Sequence, residues 1–142
     1  MLQPPIRVHY ACLALCALSN ASQSDGALTS KTIAAAYNIP NAFLMQILRD
    51  LRAIGWVTSV RGKNGGYRLQ ADPHQLSLLD VMNGLCGPEL LANRLCDVSA
   101  AASIGQIGEA FAEADAAYRE RLAQTTIADL TMPKPLQPMY FI

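Results

Sequence analysis

Apolar side chains from Ile6 to Ser19 fall almost all the way round a helical turn instead of along one stripe. That pattern predicts a largely buried helix, ended by the polar, glycine-containing stretch from Asn20 to Gly26. Thr29 has the side chain of an N-cap and opens a short helix, Ser30 to Tyr37, which Asn38 can end in the left-handed conformation. Pro40 suits the first turn of a third helix, in which Phe43, Leu44, Ile47, Leu48, Leu51 and Ile54 recur at helical spacing until Gly55. Its other face shows Asn41, Gln46, Arg49 and Asp50. Two helices so closely joined, the second amphipathic with a polar outer face, make a helix-turn-helix.

After Gly55 the apolar period drops from helical to about two. Trp56 to Val60 and Tyr67 to Leu69 read as two strands around an Asn64-Gly65-Gly66 turn, and the turn region carries Arg61, Lys63 and Arg68. A basic hairpin directly after a helix-turn-helix is a wing. A short helix follows from Leu76 to Leu85, introduced by Pro73-His74-Gln75 and closed near Gly84 or Gly87. From residue 101 to 131 a long helix carries Ile104, Ile107, Phe111, Ala114, Tyr118 and Leu122 on one stripe. Such a stripe needs a covering surface: its twin in a homodimer is the first expectation, and the chain's own domain is the alternative. The fold class expected is mainly α with a small β-hairpin wing, a winged helix-turn-helix plus a long C-terminal dimerisation helix. The divisions are 1–85 for the DNA-binding domain, 86–100 for a cysteine-containing connecting segment, 101–131 for the dimerisation helix and 132–142 for an extended, proline-containing tail.

Charge sharpens this picture. The formal net charge of the 142 residues is zero, yet residues 1–70 hold seven basic side chains against two acidic ones, and residues 71–142 hold four against nine. A basic half joined to an acidic half suits a protein with one face turned to a polyanion. The longest apolar stretch, Tyr10 to Leu18, is too short to span a bilayer and no signal-peptide pattern precedes it, so a cytoplasmic location is expected.

Three segments together carry a family likeness: Ile39-Pro40-Asn41-Ala42-Phe43-Leu44-Met45-Gln46-Ile47-Leu48, then Leu51 through Gly62 with Ser59-Val60-Arg61-Gly62 at its end, then Gly65-Gly66-Tyr67-Arg68-Leu69. With Leu78-Leu79-Asp80-Val81 after the wing, they resemble the Rrf-two (Rrf2) family of bacterial winged helix-turn-helix transcriptional regulators, which includes IscR-like members. The likeness covers residues 6 to about 86 and fits more loosely beyond. It implies a homodimeric, double-stranded-DNA-binding regulator, a repressor by expectation, on a roughly palindromic operator, with the third helix in the major groove and the wing in the minor groove. The sequence departs from the family at Met45, where a glutamate is usual beside the glutamine, so base preference there does not carry over.

Gln46 offers a donor and acceptor pair suited to adenine, and Asn41 near the helix start could reach a base edge or a phosphate. Thr29, Ser30 and Lys31 open the second helix, where backbone amides and a cation suit a phosphate, and Arg49 lies on the outer face of the third. Arg61 and Lys63 suit the negative potential of a narrow minor groove.

Many family members hold an iron-sulfur cluster on three cysteines between the fourth helix and the dimerisation helix; here only Cys86 and Cys96 fall in that segment. His9 lies where some relatives supply a non-cysteine ligand to the other subunit's cluster. The resemblance therefore leaves open a site of Cys86 and Cys96 with the partner's His9, and Asp97 or Cys12 as a fourth ligand. A disulfide switch between Cys86 and Cys96 is a second reading, and purely structural thiols a third. Cys12 and Cys16, four apart on the buried first helix, suit small core positions. No phosphate loop, metalloprotease helix or nucleophile elbow occurs, and His9 and His74 are the only histidines, so an enzyme is not expected. The competing reading is a winged-helix protein-interaction adaptor that does not read DNA.

Overall fold

Helix α1 (Ile6–Ser22) is the centre around which the chain is wound. In the computed structural model, which describes residues 4–24, 26–87 and 105–131, it packs against three of the later helices described here, the wing and the short C-terminal helix. Val8, Ala11, Ala14, Leu15 and Leu18 are buried along it, as the lack of a polar stripe requires. It runs to Ser22, past the expected end at Ser19.

Helix α2 (Ser30–Tyr37) starts and stops where its caps dictate. The Thr29 hydroxyl accepts the Thr32 backbone N–H at 3.1 Å, and Asn38 adopts φ 53° beyond the last turn. Helix α3 (Asn41–Ile54) follows at once, its first turn closed by the Leu44 N–H donating to the Pro40 carbonyl at 3.0 Å. Leu44, Ile47, Leu48 and Leu51 are completely buried, so the middle of the periodic stripe is the core face, while Phe43 is only partly buried and Ile54, at the end of the helix, is exposed. Strands β1 (Val57–Val60) and β2 (Gly66–Leu69) pair antiparallel with Val57 opposite Leu69 and Val60 opposite Gly66.

Helix α4 (Leu78–Cys86) begins two residues after the expected Leu76 because Leu76 and Ser77 have other partners. The Ser77 hydroxyl accepts the Asp80 N–H at 3.1 Å while the Asp80 carboxylate accepts the Ser77 N–H at 2.9 Å, a reciprocal cap. The single helix expected over 101–131 is two helices: α5 (Gln106–Gln124) and α6 (Ile127–Thr131). Between them Thr125 is extended, and Thr126 forms a β-bridge with Ser77. The Leu78 N–H donates to the Thr125 carbonyl and the Ile127 N–H to the Leu76 carbonyl, both at 2.9 Å. This pairing breaks the helix and seats Ile127 in the core with no exposed surface. The connecting segment from 88, Ile104 and the tail from 132 lie outside the described residues. Among the described residues no helix is long and apolar enough to cross a membrane.

Candidate nucleic-acid interface

With one face of α3 wholly buried, its opposite face must project: Met45, Gln46 and Arg49 are exposed. Gln46 is thus free to meet a base edge, as its position on the polar face predicts. Asn41 is half-buried and turned along its own helix, with Nδ2 at 3.7 Å from the Met45 sulfur and Oδ1 buried without a hydrogen-bond partner. Base reading by Asn41 would need that side chain to swing out. At the start of α2 the Thr29 hydroxyl is occupied as the helix cap and lies 2.9 Å from the Thr32 hydroxyl, Ser30 is half-buried, and Lys31 is exposed.

The wing loop, residues 61–65, carries Arg61 and Lys63, both exposed. Two backbone approaches shape it. A Cβ on Gly65 would lie 2.5 Å from the Val60 carbonyl oxygen, and one on Gly66 would lie 2.5 Å from that of Leu28. Leu28 adds a third, single-residue rung to the hairpin, its N–H donating to the Tyr67 carbonyl at 3.0 Å and the Tyr67 N–H donating back at 2.7 Å. Gly65 is therefore a steric requirement of the loop's own turn, and Gly66-Tyr67 of the wing's attachment to the residue before the α2 cap.

Two polar contacts that the sequence did not single out hold these parts together. Arg7 of α1 forms an ion pair with Asp50 of α3, and Arg52 of α3 donates to the Ser59 hydroxyl of β1 at 3.3 Å. Asp50 is thus engaged by α1, and Arg49 has no ion-pair partner among the described residues. Arg7 and Asp50 are 43 positions apart, so no local pattern announces them.

The apolar stripe of α5 divides. Ile107 and Phe111 are 64% and 63% exposed, whereas Tyr118 and Leu122 pack against the chain's own core. For Tyr118 and Leu122 the covering surface is the chain's own domain, because the pairing at Thr126 draws this end of α5 onto α4. An apolar groove of about 450 Å³ remains there, lined by His9, Cys12 and Cys16 of α1, Met82 of α4, and Tyr118 and Leu122 of α5. Burial pushes the Cys12 thiol up to about 12 with Cys16 adding to the shift, and burial likewise raises Cys16.

Cys86 closes α4, while Cys96 and Asp97 lie outside the described residues. Among the described residues no group of three or more His, Cys, Asp or Glu side chains is arranged to hold a metal ion. An iron-sulfur cluster takes four thiolates, or thiolates with histidines, and the described residues do not provide that set within one chain. His9 faces the groove it shares with Cys12 and Cys16.

Residues 6–133 match the Rrf2 family, described as an iron-dependent transcriptional regulator. The chain is 32% identical over 133 residues to an rrf2-like HTH-type transcriptional regulator of Rhodobacter capsulatus, covering 87% of this chain and 89% of that protein. It is similar to the structure of CymR (YrzC), the global cysteine regulator of B. subtilis, with a TM-score of 0.75 at 28% identity over 92% of this chain and 97% of that one. The fold is shared with T. potens IscR, with a TM-score of 0.69 at 23% identity and 94% of both chains covered.

Proposed function

The chain belongs to the Rrf2 family of transcriptional regulators, and on that premise we propose that it is a homodimeric, DNA-binding repressor. It reads a near-palindromic operator with α3 and grips the adjoining minor groove with its wing. The observation that carries this reading is the division of α3: one face completely buried on Leu44, Ile47, Leu48 and Leu51, the other presenting Met45, Gln46 and Arg49. Gln46 pairs with an adenine edge, and Met45 adds apolar contact in place of a charge. Lys31 and Arg49 meet phosphates and set register, while Arg61 and Lys63 enter the minor groove. The exposed Ile107 and Phe111 on α5 support pairing of two chains, which places two copies of α3 on two half-sites.

The test is selection from a randomised duplex pool, followed by binding of the enriched sequence at a series of salt concentrations. The expected result is an inverted repeat bound by two chains, with affinity falling by orders of magnitude as salt rises. Arg61→Ala should weaken binding roughly tenfold or more and, with one such side chain lost from each of the two chains, lower the salt slope by about two. No enrichment, with weak and salt-insensitive DNA binding, would overturn the reading and leave the protein-interaction adaptor. Unchanged affinity in Arg61→Ala would overturn the minor-groove role alone.

A further inference from the structure

Cys12 and Cys16 do not sit where α1 is most deeply packed. Ala11, Ala14, Leu15 and Leu18 have at most 1% of their surface exposed, whereas both cysteines are partly accessible and line the groove between α1, α4 and α5. One helical turn apart on one face, their Cβ atoms are roughly 5–6 Å apart. A disulfide needs Cβ atoms about 3.5–4.5 Å apart, so this helix cannot close one without distortion. A larger soft atom placed between the two sulfurs can bridge them. Around the thiols the groove is apolar, with Met82, Tyr118 and Leu122 opposite, and its volume of about 450 Å³ is in the range that holds a small organic molecule.

We propose that Cys12 and Cys16 form a two-thiol effector site that captures an apolar, thiol-bridging ligand, an arylarsine oxide being the type, with its aryl body in the groove. The chemistry balances without an oxidant. Two S–As bonds form, the As=O bond is lost, and its oxygen leaves as water carrying both thiol protons. The consequence for regulation rests on the DNA-binding reading above. Tyr118 and Leu122 form the far wall, so an aryl group lodged there shifts α5 against α1, and α1 is tied to α3 through Arg7 and Asp50. In the dimer that shift changes the spacing of the two reading helices and lowers operator affinity.

The test uses the reduced full chain and phenylarsine oxide, read by native mass spectrometry. The expected result is one phenylarsenic adduct per chain, removed by excess dimercaptopropanol, present in the Cys86→Ser/Cys96→Ser double variant, and lost in Cys12→Ser and in Cys16→Ser with helix content unchanged. Failure of the wild type to form it, or its survival in both Cys12→Ser and Cys16→Ser, overturns the site. On the selected duplex, adduct formation should lower affinity roughly tenfold; unchanged affinity overturns the effector role. The adduct is counted without DNA, so a failure of unliganded protein to bind DNA would sink the DNA-binding reading and leave the adduct result standing.

Discussion

Replacing Gly66 by alanine should cost far more than replacing Gly62, although both glycines belong to the wing and both have positive φ, 146° and 115°. Backbone strain in that region is roughly 1–3 kcal/mol for a residue with a side chain, and it applies to both. At Gly62 it is the whole cost, because nothing lies within 4 Å of the added Cβ. At Gly66 the new carbon would lie 2.5 Å from the Leu28 carbonyl oxygen and 3.0 Å from the Thr29 nitrogen, both of them backbone atoms. Leu28 must retreat, which breaks its two hydrogen bonds with Tyr67. Each contributes roughly 0.5–1.5 kcal/mol. The sum is roughly 2–6 kcal/mol for Gly66→Ala against roughly 1–3 kcal/mol for Gly62→Ala. Urea denaturation of the two variants measures the difference, with a common slope confirming that only stability has changed. Equal losses would refute the reasoning and show that the close approach of Gly66 to Leu28 does not hold the wing.

Ile127→Ala should cost roughly 2–5 kcal/mol in the same assay, since the side chain is fully buried, and limited proteolysis near Thr125 should accelerate as α6 leaves the core; a loss under about 1 kcal/mol would show that the junction does not hold α5. Cys12 is neutral in the folded chain up to about pH 12, against an ordinary value of 9.0, so its contribution is intact below pH 9 and is lost as pH rises from 9 to 12. Stability should fall there by at most about 1.4 kcal/mol per pH unit, and Cys12→Ser should flatten the decline; a decline unchanged in that variant would assign it to other groups. Protein purified without oxygen should hold far less than one iron and one sulfide per chain, whereas stoichiometric iron lost on Cys86→Ser or His9→Ala would establish a cluster shared between subunits.

Where the sequence was legible, the signal was local. Thr29 and Asn38 bound α2 because a hydroxyl cap and a left-handed asparagine act within one turn of themselves. The α3 stripe and the hairpin followed from periods of 3.6 and two, which report the buried face directly. The break at Thr125 was not read, because it depends on pairing with Leu76 to Leu78, nearly fifty residues earlier. A signal was nevertheless present: Ser77 with Asp80 and Thr126 with Asp129 have the same reciprocal capping spacing, and both pairs form it. The α5 stripe could not disclose what covers it, since Tyr118 on the core and Phe111 in solvent look alike in sequence. Asn41 and Gln46 likewise share a polar face on a helical wheel, and only the packing of Asn41 along Met45 separates them.

The central place of α1 also fixes when this protein can fold. The helix is made before the elements that cover it, the last of those described being the Ile127–Thr131 helix. During synthesis, a segment without a polar stripe of its own waits for partners up to about 120 residues downstream, and contacts of such long range close slowly. The nascent chain thus keeps an apolar helix only partly covered until the Ile127–Thr131 helix has been made, and that is when it is open to chaperones and to aggregation. The yield of folded chains depends on that interval being short.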